Sequence, residues 1–106
     1  MTQEELVRRF GLSAQTVLDY ERAGLLHPGG QPPQYPENEI GRLGLIDTLV
    51  KAGFDLQAIR QYVDLPTPEQ LRVLRTQRSK LLGELHGKQQ TLDNIDYMIW
   101  EKANKQ

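Results

Sequence analysis

Gly11-Leu-Ser-Ala-Gln-Thr-Val-Leu-Asp-Tyr-Glu-Arg-Ala-Gly-Leu-Leu-His-Pro28 is the stretch on which the fold of this chain turns. Gly11 tolerates left-handed backbone and so stops a preceding helix. Ser13 offers a hydroxyl to cap the next one, in which Thr16, Val17 and Tyr20 recur at three- and four-residue spacing and mark an inward face. Gly24 ends that helix, and the apolar pair Leu25-Leu26 follows. Upstream, Thr2-Gln-Glu-Glu5 has the form of a capping box, with Leu6, Val7 and Phe10 as the apolar stripe of a first helix. Two short helices joined by a Gly-containing turn are the skeleton of a helix-turn-helix, and equally of a simple packing unit. Asp19 puts an acid where a DNA-facing helix would ordinarily carry a base.

Downstream, residues 28–36 contain four prolines and two glycines, which remove amide donors and loosen the backbone. This segment reads as a loop or a short hairpin wing. Helical spacing resumes from Glu37 to Ala52 with Ile40, Leu43, Ile46, Leu49 and Val50, and Gly53 closes it. Asp55 caps a short fourth helix carrying Leu56, Ile59, Tyr62 and Val63, which ends before Pro66. Residues 1–66 are therefore expected to form a mainly α, winged helix-turn-helix head.

Thr67-Pro-Glu-Gln70 opens the last element, with Thr67 as N-cap and a proline at the first helical position. No proline interrupts the chain from there to Lys102, and about 36 residues at about 1.5 Å each span roughly 54 Å. With Leu71 at heptad position a, the a positions are Leu71, Arg78, Leu85, Leu92 and Ile99, and the d positions Leu74, Leu81, Lys88, Ile95 and Lys102. Seven of these ten are apolar, which favours a coiled-coil seam paired with a second copy of the chain over a solvated lone helix. Arg78 and Lys88 either snorkel their stems out of the seam or fix its register. Gly83 and Gly87 each weaken the helix by about 1 kcal/mol relative to alanine. Tyr97, Met98 and Trp100 gather at the far end, as a docking surface for the partner's head or as a pocket for a small hydrophobic effector.

Composition bounds the function. A length of 106 residues leaves room for one small domain plus one long element, and predicts no separate ligand-binding domain. Zero cysteines rule out thiolate metal sites and cysteine redox chemistry. His27 and His86 lack a second ligand at helical spacing, so no metal and no cofactor is expected. No carboxylate pair, nucleophile with an adjacent base, or phosphate loop points to an enzyme. No apolar run reaches the about 20 residues needed to cross a bilayer, and Met1-Thr-Gln-Glu-Glu lacks the layout of a signal peptide, so a cytoplasmic location without membrane association is expected. Charge divides at Pro66: residues 1–66 hold six bases against nine acids, a net −3, and residues 67–106 seven bases against five acids, a net +2. Duplex-binding proteins draw most of their non-specific affinity from neutralising phosphates, yet the reading half is here the acidic half.

The order Thr2, Glu5-Leu6, Gly11-Leu-Ser13, Thr16, Tyr20-Glu21, Gly24-Leu-Leu26, Pro28, Tyr35, Ile40, Arg42-Leu43, Gly53-Phe54 and Leu56, followed by a long helix, resembles the MerR family of transcription regulators. The resemblance implies a winged helix-turn-helix head, an antiparallel coiled-coil dimer over residues 67–106, and binding to spaced promoter half-sites whose distortion controls transcription. It also sets three departures in relief. The family's phosphate-contacting arginine in the second helix falls on Leu18, the neighbouring aromatic or imidazole on Asp19, and the wing arginine on Pro33, whereas Tyr35 matches. Losing one charged phosphate contact removes roughly 1.5 to 3 kcal/mol, and a carboxylate adds repulsion.

Gln15 and Thr16 on the first turn of the second helix are the candidates for reaching base edges in double-stranded DNA. Tyr20, Tyr35, Arg42 and Lys51 are candidates for the backbone. Each has a plainer role: Thr16 as a local cap, Tyr20 as core, Arg42 as a solvated helix residue. The leading expectation is a homodimeric DNA-binding regulator. Beside it stand a MerR-like protein-interaction module whose acidic head has lost DNA binding, and a sensor for a hydrophobic ligand.

Overall fold

The computed structural model describes residues 1–105, and among them contains five helices and no strand. Two compact units, Met1–Pro66 and Thr67–Gln106, are described separately.

Helix α1 (Gln3–Phe10) starts where Thr2 Oγ1 accepts the Glu5 amide at 3.2 Å, and stops at Gly11, whose φ of 66° turns the chain. Of its expected stripe, Leu6 is buried, Val7 half-buried and Phe10 exposed, with the Arg9 guanidinium over the Phe10 ring. Helix α2 (Ala14–Arg22) begins with Ser13 Oγ accepting the Thr16 amide at 3.0 Å. At its other end Gly24 takes φ 76°, which an L side chain rarely adopts, and Leu25 donates its amide to Tyr20 O at 2.9 Å. That reversal drops Leu25 and Leu26 into the core beside Val17 and Leu6.

The wing is reduced to its smallest form. Gly29 and Gln34 exchange two backbone hydrogen bonds at 2.9 and 2.8 Å, an isolated antiparallel bridge, with a cis peptide at Gln31-Pro32 between them. Prolines at 32 and 33 supply no amide to extend the ladder. Tyr35 then pairs with the start of the chain: its amide donates to Met1 O at 2.7 Å, and the Met1 amino group donates to Tyr35 O at 3.2 Å.

Helix α3 (Glu37–Lys51) buries Leu43, Ile46 and Leu49, while Ile40 is half-buried. Val50, expected on the same face, is exposed. Helix α4 (Leu56–Val63) starts with Asp55 Oδ1 accepting the Ala58 amide at 2.7 Å and buries Ile59 and Tyr62. Helices α1 and α2 pack together, as do α3 and α4. Fully burying a Leu, Ile or Val side chain stabilises by about 1.5–3 kcal/mol, so this small set of apolar residues is the main source of cohesion in the first unit.

Helix α5 (Thr67–Ala103) is one unbroken element of 37 residues. Thr67 is its first helical residue rather than the cap before it. None of its described residues is buried, and the expected seam side chains stand open, from Leu74 at 38% to Leu85 at 65% exposed.

Candidate nucleic-acid interface

The first turn of α2 presents Gln15 at the surface and Thr16 half-buried. Thr16 shares a hydrogen bond with the Ser13 hydroxyl at 2.8 Å, so its oxygen already takes part in the cap. Gln15 Nε2 donates to Asp19 Oδ1 at 2.9 Å, one turn along the same face. The amide expected to reach base edges and the acid expected to repel phosphates are thus partners.

Both tyrosines proposed as backbone contacts lie inside the head. Tyr20 is buried, and its hydroxyl is pushed above the usual tyrosine range by burial, then by the Asp47 and Asp19 carboxylates. Tyr35 is only 2% exposed, and its hydroxyl donates to Glu21 Oε1. Burial, the hydrogen bond to Glu21 and the charge of that carboxylate together push Tyr35 strongly upward, keeping it a neutral donor. The Tyr35 bond to Glu21 ties the wing segment to α2.

Arg42 and Lys51 are exposed on α3. They lie nine residues apart, about 900° of helical rotation, and therefore on opposite sides of the helix. Lys51 Nζ meets Asp47 Oδ2 at 2.9 Å in an exposed i,i+4 pair. One flat ligand cannot engage both.

Leu18 and Pro33, the two positions where the resemblance implies arginines, come together. They line one surface cleft of about 380 Å³, with Glu4 of α1, Glu21 of α2, and Pro28 and Tyr35 of the wing segment. The sequence signals each departure singly, but only the tertiary fold makes them neighbours. Sequence reasoning also missed Glu39, which is buried and accepts the His27 amide at 2.9 Å, with His27 Nδ1 3.9 Å from its other oxygen. Its spacing from Leu43 and Ile46, at i+4 and i+7, places it on the apolar face of α3 and was the readable signal.

On α5, the Tyr97 and Trp100 rings stack with centroids 6.0 Å apart. Among the described residues no three or more His, Asp or Glu side chains gather where they could hold a metal ion, and no helix is long and apolar enough to cross a membrane.

This geometry can be set beside known proteins. A family model described as MerR HTH family regulatory protein matches residues 1–65. The chain belongs to the MerR family. Two solved structures share the MerR-type fold. One is the N-terminal part of MtaN, the Bacillus subtilis multidrug transporter activator, at 21% identity and TM-score 0.70, covering 93% of this chain and 97% of that one. The other is HiNmlR, a MerR family regulator lacking the sensor domain and bound to promoter DNA, at 20% identity and TM-score 0.78, covering 96% of this chain and 90% of that one. Among curated proteins, none matches the sequence. Against the pattern that the resemblance implies, this head keeps Tyr35 and carries Leu18 and Pro33 where arginines are expected.

Proposed function

We propose that the protein is a DNA-binding transcription regulator of MerR type, acting in the cytoplasm as a homodimer on spaced promoter half-sites. The observation that carries this reading is the match of residues 1–65 to the family, on a head whose α2 presents a Ser13-capped N-terminus with Gln15 at the surface. A helix N-terminus with orphan amides attracts phosphate, and amide side chains on its first turn read base edges. The promoter-bound state of HiNmlR, a regulator that lacks a sensor domain, supports a chain of this length binding DNA.

The domain plan is a head over residues 1–66 and a dimerisation helix over 67–106. Leu71, Leu74, Leu81, Leu85, Leu92, Ile95 and Ile99 supply the seam, and their exposure in the single chain supports a second helix covering them. Tyr97, Met98 and Trp100 are the docking surface for the partner's head or for a small hydrophobic effector.

Selection of bound fragments from random duplex DNA, at low and at moderate salt, tests the reading. Enrichment of a spaced inverted repeat is the expected result; no enrichment at either salt overturns it.

A specific observation favours a second reading, in which the head binds protein instead of DNA. Asp19 holds Gln15, and Leu18 stands where a phosphate contact belongs. The third reading, a hydrophobic-ligand sensor, rests on the stacked and exposed Tyr97 and Trp100. Saturable quenching of Trp100 by aromatic cations would support it, and emission unchanged across such a panel removes it.

A further inference from the structure

The cleft between the start of α1, α2 and the wing combines apolar and acidic side chains, with Thr2 and Gln3 as neutral polar members of its lining. Leu18, 36% exposed, lines it together with Pro28 and Pro33, so part of the lining is apolar and, at the prolines, stiff. Glu4 and Glu21 bring two carboxylates to the same cleft, and no lysine or arginine lines it. Tyr35 anchors Glu21 by its hydroxyl, so that carboxylate is held in place rather than free to swing away.

We propose that this cleft binds a short segment of another protein in which a basic side chain lies next to an apolar one. The apolar member packs on Leu18 and the wing prolines, and the basic member meets Glu4 and Glu21. Charge complementarity selects this occupant over nucleic acid. The surrounding unit, residues 1–66, carries six bases against nine acids, a net charge that favours a cationic segment at this cleft. A volume of about 380 Å³ lies near the lower end of ordinary ligand sites, of about 300–1,000 Å³, and suits a pair of side chains rather than a whole helix. The inference concerns the Leu18 side of α2 and holds whether or not Gln15 and Thr16 also read a duplex.

Panning phage-displayed random dodecapeptides against the full chain tests it. Enriched peptides are expected to carry Lys or Arg within two positions of Leu, Ile, Met or Phe. Synthetic copies of them should shift the amide resonances of Leu18, Glu21 and Tyr35. Leu18→Arg should weaken their binding by at least about tenfold, through like charge and lost packing. Glu4→Gln should weaken it about threefold, and added salt should weaken it further. Pro33→Arg, in the same lining, repeats the test should Leu18→Arg not fold. Peptides without a basic residue, no enrichment, or binding unaffected by both arginine variants would overturn the proposal. Perturbation of the same three amides by random duplex DNA, and not by peptide, would overturn it as well. A chain that selects an inverted repeat but no peptide sinks this inference alone and leaves the regulator reading standing.

Discussion

Gln15 donates its side-chain amide to Asp19 across one turn of the exposed face of α2, at 2.9 Å. The amide expected from the sequence to reach base edges is therefore engaged by the acid beside it, and a duplex contacting it would have to break that pair and tolerate the freed carboxylate. The acidity of the head thus acts at the residues expected to read bases, and not only as a diffuse field.

Replacing Asp19 and Leu18 together, as Asp19→Tyr with Leu18→Arg, removes the acid and restores a phosphate contact. Affinity for random duplex DNA should rise by at least about tenfold, and the dependence of log affinity on log salt should steepen by about one. Fluorescence anisotropy at two salt concentrations measures both. An effect near zero would count against the protein-binding reading of the head.

Tyr35→Phe deletes the donor to Glu21 and leaves a half-buried carboxylate short of a partner. The loss should be about 1–3 kcal/mol in urea unfolding. The same pair predicts a pH response. The folded-state pKa of Tyr35 lies above its ordinary value of 10.0, so the folded chain holds its proton where the unfolded chain releases it. Stability is fully present below pH 10 and falls as pH rises above it. In Tyr35→Phe that alkaline fall should be shallower, with the remainder due to Tyr20, which is raised in the same direction.

Leu85 is 65% exposed on α5 and occupies an a position at the middle of the seam. Leu85→Asp should convert a dimer to a monomer in sedimentation, with loss of helical signal, because a long helix without packing is marginal in water. A wild-type chain that sediments as a monomer would refute the coiled coil outright.

Glu39→Ala strips the His27 amide of its acceptor at a buried site. The expected cost is about 1–3 kcal/mol, read as a lowered midpoint in thermal unfolding. A shift within error would mean that water replaces the carboxylate.

How much was legible follows from how far apart the interacting groups lie along the chain. Thr2, Ser13 and Asp55 were readable as caps because each accepts an amide three residues on. Gly11 and Gly24 were readable as stops because their backbone angles are open to few other residues. The Gln15 to Asp19 bond, at i,i+4, was within reach of the same reasoning. The Tyr35 to Glu21, Glu39 to His27 and Met1 to Tyr35 contacts span 14, 12 and 34 residues, and no local pattern announces them.

Local sequence was enough for the five helices, for the capped starts of α1, α2 and α4, and for the stripe that α5 exposes, since caps, breakers and apolar periodicity act within a turn or two; the start of α5 falls one residue earlier than its cap signal places it. Only the fold brings Tyr35 onto Glu21 as an inward strut and puts Leu18, Pro33 and Glu21 in one cleft. Those outcomes depend on where Gly24 and the single wing bridge send the chain, and therefore on contacts between segments that are distant in sequence.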